Sequence, residues 1–250
     1  TETIQPEGSL ELQAVWGTTA APRKTCAREI ALVNKEGEPD QVERFNVLPD
    51  WPMDEWPANA IAHGSYHVQV EPWIDSGDHS VALALVGIDD GQPCGRQVNI
   101  GSVKVEIPER VFRAPAMGKV VKTRFGDALL LRGYDLEQGQ DAIHLTLHWE
   151  ALRRMAESYK FFLHLYDVET GDLIAQKDVV PYDWAYPTKW WEAHEIISDE
   201  LQLPTADVPA GSYHLALGIY DPDTLERLAV EEGRPTVASE ALLLQDIVIR

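Results

Sequence analysis

The chain has 250 residues, with 41 acidic against 21 basic side chains and a formal net charge of −20. That balance excludes nucleic acid and anionic membrane surfaces as partners, because both need a basic footprint. No run of about 18 apolar residues and no charged–apolar–small signal segment occurs, so on this reading membrane attachment would come only through an absent upstream region.

A start at Thr1 rather than Met reads as a processed or excised piece. The two cysteines, Cys26 and Cys94, both lie in the first half, which excludes a disulfide framework and a thiolate metal cluster. Two states remain open for them: a single bridge if the chain is exported, stabilising by roughly 3–4 kcal/mol, or two buried free thiols.

In chain order, Leu10–Trp16 alternates apolar and polar residues and ends in Trp, and Ile143–Trp149 repeats that plan 133 positions later. Ile30 and Leu32 match Leu163 and Leu165, Trp51 matches Trp184, and Val68 and Val70 match Leu201 and Leu203 at the same spacing. Beyond the turn the spacing slips by one, as Gly77 meets Gly211 and Val81–Leu83 meets Leu215–Leu217. A near-constant spacing through several strands is what duplication of a β domain leaves behind.

Period-two alternation in short runs, punctuated by Gly, Pro, Asp and Asn, predicts half-buried antiparallel strands. In the second half these are Ala128–Asp135, Ala142–Glu150, Tyr159–Asp167, Leu173–Val179, Glu195–Leu203, Gly211–Tyr220, Arg227–Val230 and Ala241–Ile249, with a helical turn or a loop near Glu150–Ala156. The fold class expected is all-β: two tandem antiparallel β-sandwiches, Ig- or jelly-roll-like and related by duplication. The first spans residues 1–110 and the second 111–250, with Pro108–Gly118 as the link. Only the second copy has a segment, Lys119–Leu136, ahead of its first matched strand. An unpaired edge left there in the first copy would be prone to pairing with another chain.

Of eight Trp, five lie in the paired loops: Trp51, Trp56, Trp184, Trp190 and Trp191. Aromatic faces on such loops stack on the C–H faces of sugar rings, with neighbouring carboxylates taking the hydroxyls. The candidate carbohydrate site is therefore Tyr182, Asp183, Trp184, Tyr186, Trp190, Trp191 and Glu192, with Asp199 as a further polar neighbour; of the adjacent pair Trp190 and Trp191, one is expected to be exposed. The competing reading has these Trp capping the core of each sandwich. Trp16 and Trp149 read as core.

His144, His148, His164 and His214 fall opposite the apolar face of their strands and read as half-exposed polar residues rather than metal ligands. The acidic turns Asp75–Asp78, Asp89–Asp90 and Asp221–Glu226 lack the spacing of a calcium loop. No G-x-S-x-G elbow or nucleophilic Cys–His pattern occurs. The chain is expected to carry no catalysis and no cofactor.

The second half resembles the C-terminal extracytoplasmic β-sandwich of bacterial multi-pass membrane proteins of the glycosyltransferase type. The residues carrying the resemblance are Gly133-Tyr134, Leu145–Trp149, Phe162–Leu165, Ala175-Gln176, Asp178, Pro187-Thr188, Trp190, Gly211, Tyr213, Gly218, Tyr220-Asp221 and Arg227-Leu228. It implies a non-catalytic module on the outer side of the cytoplasmic membrane, since the family's transferase chemistry belongs to its membrane portion. The first half departs from it, with Gly17 for Glu150 and Ala31 for His164.

Overall fold

The computed structural model describes residues 2–22, 24–237 and 241–250. The fold is all-β, in two compact units, Thr1–Pro108 and Glu109–Arg250. Among the described residues there is no α-helix, only single 3-10 turns, and no helix long and apolar enough to cross a membrane.

The first unit contains β1 (Glu2–Ile4), β2 (Ser9–Gly17), β3 (Cys26–Val33), β4 (Pro39–Asn46), β5 (Ile61–Gln69), β6 (Gly77–Gly87) and β7 (Val98–Val105). One sheet has the order β1-β7-β6-β3-β4, and the other is the antiparallel pair β2-β5. Alternation sets the buried face of each: Tyr66 and Val68 of β5 point inward together with Leu10 of β2, against Ile30, Leu32, Val81 and Val103, while Ala62 packs with Val47 and Trp56.

The second unit contains β8 (Lys119–Phe125), β9 (Leu129–Gln138), β10 (Ala142–Ala151), β11 (Lys160–Asp167), β12 (Leu173–Val179), β13 (Ile196–Pro204), β14 (Gly211–Tyr220) and β15 (Leu242–Ile249). Its sheets run β13-β10-β9-β8 and β12-β11-β14-β15. The inward residues Leu145, Leu147, Trp149, Phe161, Leu163, Leu215 and Leu217 close a core around Trp149, whose ring lies between Phe125 and Phe161 at 5.5 and 4.9 Å.

The duplication is visible in the topology, since β4-β3-β6-β7 repeats as β12-β11-β14-β15 and β2-β5 as β10-β13. The register corrects part of the sequence alignment. Leu10 pairs with Val68, and its counterpart Ile143 pairs with Leu203. Val68 therefore corresponds to Leu203, not Leu201, and β5 and β13 stand 135 positions apart. The second copy is longer in the loop before β13, where alternation is absent and nothing in the sequence fixes the register.

Local expectations are settled or changed at several points. Glu150–Ala156 is the end of β10 and a bend, with no helix. Arg227–Val230 forms only isolated bridges, to Tyr220 and Phe125, and Lys119–Phe125 adds a strand beside β9. Cys26 and Cys94 are joined by a disulfide that ties the start of β3 to the loop after β6, with Cα atoms 6.5 Å apart.

Candidate functional site

The loop between β12 and β13 carries the seven residues singled out in the sequence, and the structure divides them into an inward and an outward set. Pro187 starts a 3-10 turn over Thr188–Trp190 that drives two indoles into the core. Trp191 packs edge-on to Phe161 at 6.2 Å and donates its indole N–H to the Tyr186 carbonyl at 3.0 Å. Trp190 and Tyr186 are buried beside it, with ring centroids 6.4 Å apart. The expected exposure of Trp190 or Trp191 is thus corrected: apolar bodies of this size close the end of the sandwich.

Polar groups inside this plug are paired. The Tyr186 hydroxyl donates to Glu195 Oε1 at 2.6 Å, and the Glu192 amide donates to Glu195 Oε2 at 2.8 Å. Burial pushes both the Tyr186 phenol and the Glu195 carboxyl above their ordinary values. Glu192 is held by Arg154, which donates to both of its oxygens at 2.5–2.9 Å, and by Arg110 at 3.6 Å. The Arg154 hydrogen bonds keep the Glu192 carboxyl below the usual range. Tyr186, Trp190, Trp191 and Glu192 are therefore structural.

The outward set is Tyr182, Asp183 and Trp184. These three consecutive residues are left-handed, with φ of 54°, 49° and 74°. For non-glycine residues that conformation costs of order 1–3 kcal/mol each, and it persists only where surroundings impose it. Here they are imposed from below: the Tyr182 amide donates to Asp199 Oδ1 at 2.9 Å and its hydroxyl to the Ser198 carbonyl at 3.0 Å, while Pro181 is buried. The resulting knuckle leaves Trp184 60% and Tyr182 44% exposed. Lys160, at the start of β11, brings its ammonium 5.8 Å from the centre of the Trp184 ring, and the Asp183 side chain is exposed beside it.

Under the knuckle, Asp199 is buried and only one of its oxygens is bonded; Oδ2 has no hydrogen-bond partner. Burial is the main cause of a carboxyl pKa pushed up to about 6, with Asp183 and Glu200 adding to it. Asp199, expected as a polar neighbour of a bound sugar, is instead buried beneath Tyr182.

Two of the four strand histidines differ from expectation. His148 is buried, bonded to Ser198 Oγ at 2.8 Å and Asp135 at 2.7 Å, and His164 is buried against Tyr166, whose hydroxyl lies 2.9 Å from Nδ1. His148 is enclosed by groups of the neighbouring strands β9 and β13, and His164 lies against Phe162 and Tyr166 of its own strand. His144 is exposed, and His214 pairs with Asp246 at 2.6 Å. Among the described residues no group of three His, Cys, Asp or Glu is placed to hold a metal ion. Trp149 is core as read, whereas Trp16 is only half-buried and donates to the Tyr66 hydroxyl at 2.6 Å.

No family model and no curated protein matches the chain. Among solved structures, a DUF3823 family protein from Bacteroides ovatus is similar at 12% identity and a TM-score of 0.31, covering 98% of this chain and 100% of that one. A DUF3823 family protein from Parabacteroides merdae is similar at 11% identity and a TM-score of 0.29, covering 94% and 98%. The C-terminal domain of the Streptococcus agalactiae AgI/II polypeptide BspA gives 10% identity and a TM-score of 0.27, over 91% of this chain and 92% of that one.

Proposed function

We propose that the chain is a non-catalytic, extracytoplasmic binding module whose second unit presents carbohydrate on the knuckle Tyr182–Trp184. The observation that carries this reading is an exposed indole and an exposed phenol held on strained, buttressed backbone, with a carboxylate and an ammonium beside them. A preorganised aromatic face recovers the stacking energy of a sugar ring without first ordering a loop. Placement outside the cytoplasm is supported by the Cys26–Cys94 bridge, which persists in oxidising compartments. Attachment to a membrane glycosyltransferase-like protein is the extension that the sequence resemblance suggests.

Titration of soluble oligosaccharides, followed by tryptophan emission, tests the reading. Binding that is lost in Trp184→Ala and weakened in Tyr182→Ala, with both variants folded, is the expected result. Absence of binding across a panel of neutral and acidic glycans overturns it.

A second reading, a structural or protein-interaction module without a small-molecule ligand, is favoured by one observation: Trp56, Trp190 and Trp191 are all buried. Under it, Trp184→Ala changes nothing that glycans report.

A further inference from the structure

In the second unit β9 lies along β10, from Gln138 opposite Ile143 to Leu129 opposite Ala151. It buries Leu129, Leu131 and Tyr134, and the Tyr134 hydroxyl donates to the Leu244 carbonyl at 2.9 Å. In the first unit β2 is paired on one side only, with β5, because the preceding strand β1 runs to the other sheet and pairs with β7. Exchange of backbone bonds at the two ends, Val70 N–H to Gly8 O and Thr18 N–H to Ala60 O, turns even-numbered residues of β2 toward β5. The N–H and C=O groups of Glu11, Gln13 and Val15 therefore point along the open edge.

The core beneath that edge is also left uncovered. A bulge between Val81 and Ala82 in β6–β7 repeats between Leu215 and Ala216 in β14–β15, and it aligns Val98 with Leu242 and Ile100 with Leu244. Val98 is 49% exposed against 1% for Leu242, and Ile100 43% against 6% for Leu244. In the same way Leu12, Ala14 and Trp16 are half-buried where Leu145, Leu147 and Trp149 are buried. An unpaired edge and an apolar strip coincide at the position that β9 fills in the duplicate.

We propose that the first unit accepts an additional β-strand from another polypeptide, antiparallel to β2, in the place β9 holds in the second. The occupant is an extended segment with large apolar side chains at alternate positions on one face, as in Leu129-Leu130-Leu131 and Tyr134 of β9, so that backbone bonds fix it and the apolar face covers Val98 and Ile100. A second copy docking through its own β2 fits less well. Its inward residues Leu10, Leu12, Ala14 and Trp16 already face their own core, so Val98 and Ile100 would stay exposed, and two chains of charge −20 repel. This surface lies on the first unit and does not depend on the carbohydrate reading.

The test is hydrogen exchange on the full chain with and without a synthetic peptide of Lys119–Gln138, the β8–β9 sequence. Expected are amides of Glu11, Gln13 and Val15 protected about tenfold or more, with a blue shift of Trp16 emission. Gln13→Pro, which removes a donor on the open edge and none toward β5, should abolish the protection. Ile100→Lys, at an exposed position, is a second variant that should weaken it. No protection at saturating peptide, or equal protection in both variants, overturns the proposal. Protection of the same amides without peptide, accompanied by a dimer in sedimentation, overturns the choice of occupant.

Discussion

Trp56 and Trp191 hold the same place in the two units. Each follows a single 3-10 turn, each is buried, and each donates its indole N–H at 3.0 Å to the carbonyl five residues earlier, of Trp51 and Tyr186 respectively. Left-handed Asn59 and His194 come three residues later in both. Trp51 is thus the counterpart of Tyr186, and Trp184 belongs to the stretch that makes the second loop longer.

That equivalence separates the tryptophans by substitution. Trp191→Ala removes a buried ring and leaves a cavity, and should cost about 3–5 kcal/mol. Trp184→Ala should change stability by no more than about 0.5 kcal/mol, because its ring is largely in solvent. Urea denaturation of the two variants checks the contrast; equal losses would contradict it.

Sequence periodicity made the strands and their duplication legible, since alternation reports which face of a strand is buried. It failed where alternation stops. Between Val180 and Glu195 the pairing of Trp51 with Trp184 rests on carrying the spacing of 133 into a loop, where no strand register is available to correct it. Burial of His148 depends on groups arriving from other strands, Asp135 and Ser198, which one strand's pattern does not contain, whereas the hydroxyl that meets His164 belongs to Tyr166 of its own strand. Of the candidate site, Tyr182, Asp183 and Trp184 are exposed, whereas Tyr186, Trp190 and Trp191 are buried, and the alternative of core-capping or surface indoles is one that composition alone does not decide.

Asp199 should make stability depend on pH. Its folded pKa of about 6 lies above the ordinary value of 3.8, so between these the folded chain keeps a proton that the unfolded chain has released. Stability from this group is complete below about pH 4 and is lost as pH rises through 6, by about 3 kcal/mol in all. Asp199→Asn keeps an acceptor for the Tyr182 amide and should flatten the dependence, so that the variant's advantage grows from pH 4 to pH 8. Parallel melting curves across that range would count against it.

Reduction of the bridge should act on the first unit. Cys26 and Cys94 are 68 positions apart, and releasing a loop of that length should cost about 4 kcal/mol in the chain-entropy account. Cys26→Ser with Cys94→Ser is expected to lower the melting temperature by several degrees or more and to leave Trp149 and Trp191 environments unchanged in near-UV spectra.

Gly218 faces Phe162 across β14 and β11, and a Cβ there would lie 1.9 Å from the Phe162 ring. Gly218→Ala should therefore destabilise by about 1–3 kcal/mol through overpacking. Combining it with Phe162→Leu should be less than additive in a double-mutant cycle, whereas strict additivity would show that the ring does not set the constraint.

The pairing of β2 with β5, and of β10 with β13, also bears on the order in which the chain folds. Leu10 meets Val68 and Ile143 meets Leu203, so these pairings join residues 58 and 60 positions apart. The hairpins β3–β4 and β11–β12 close short loops and gain their contacts early, while the outer pairs wait for long loops to be organised. Refolding should therefore start in these hairpins and end with the long-range pairings, β2–β5 and β3–β6 in the first unit and β10–β13 and β11–β14 in the second. Until β2 docks, Trp16 remains in water, which makes it the natural reporter of these late pairings in the first unit.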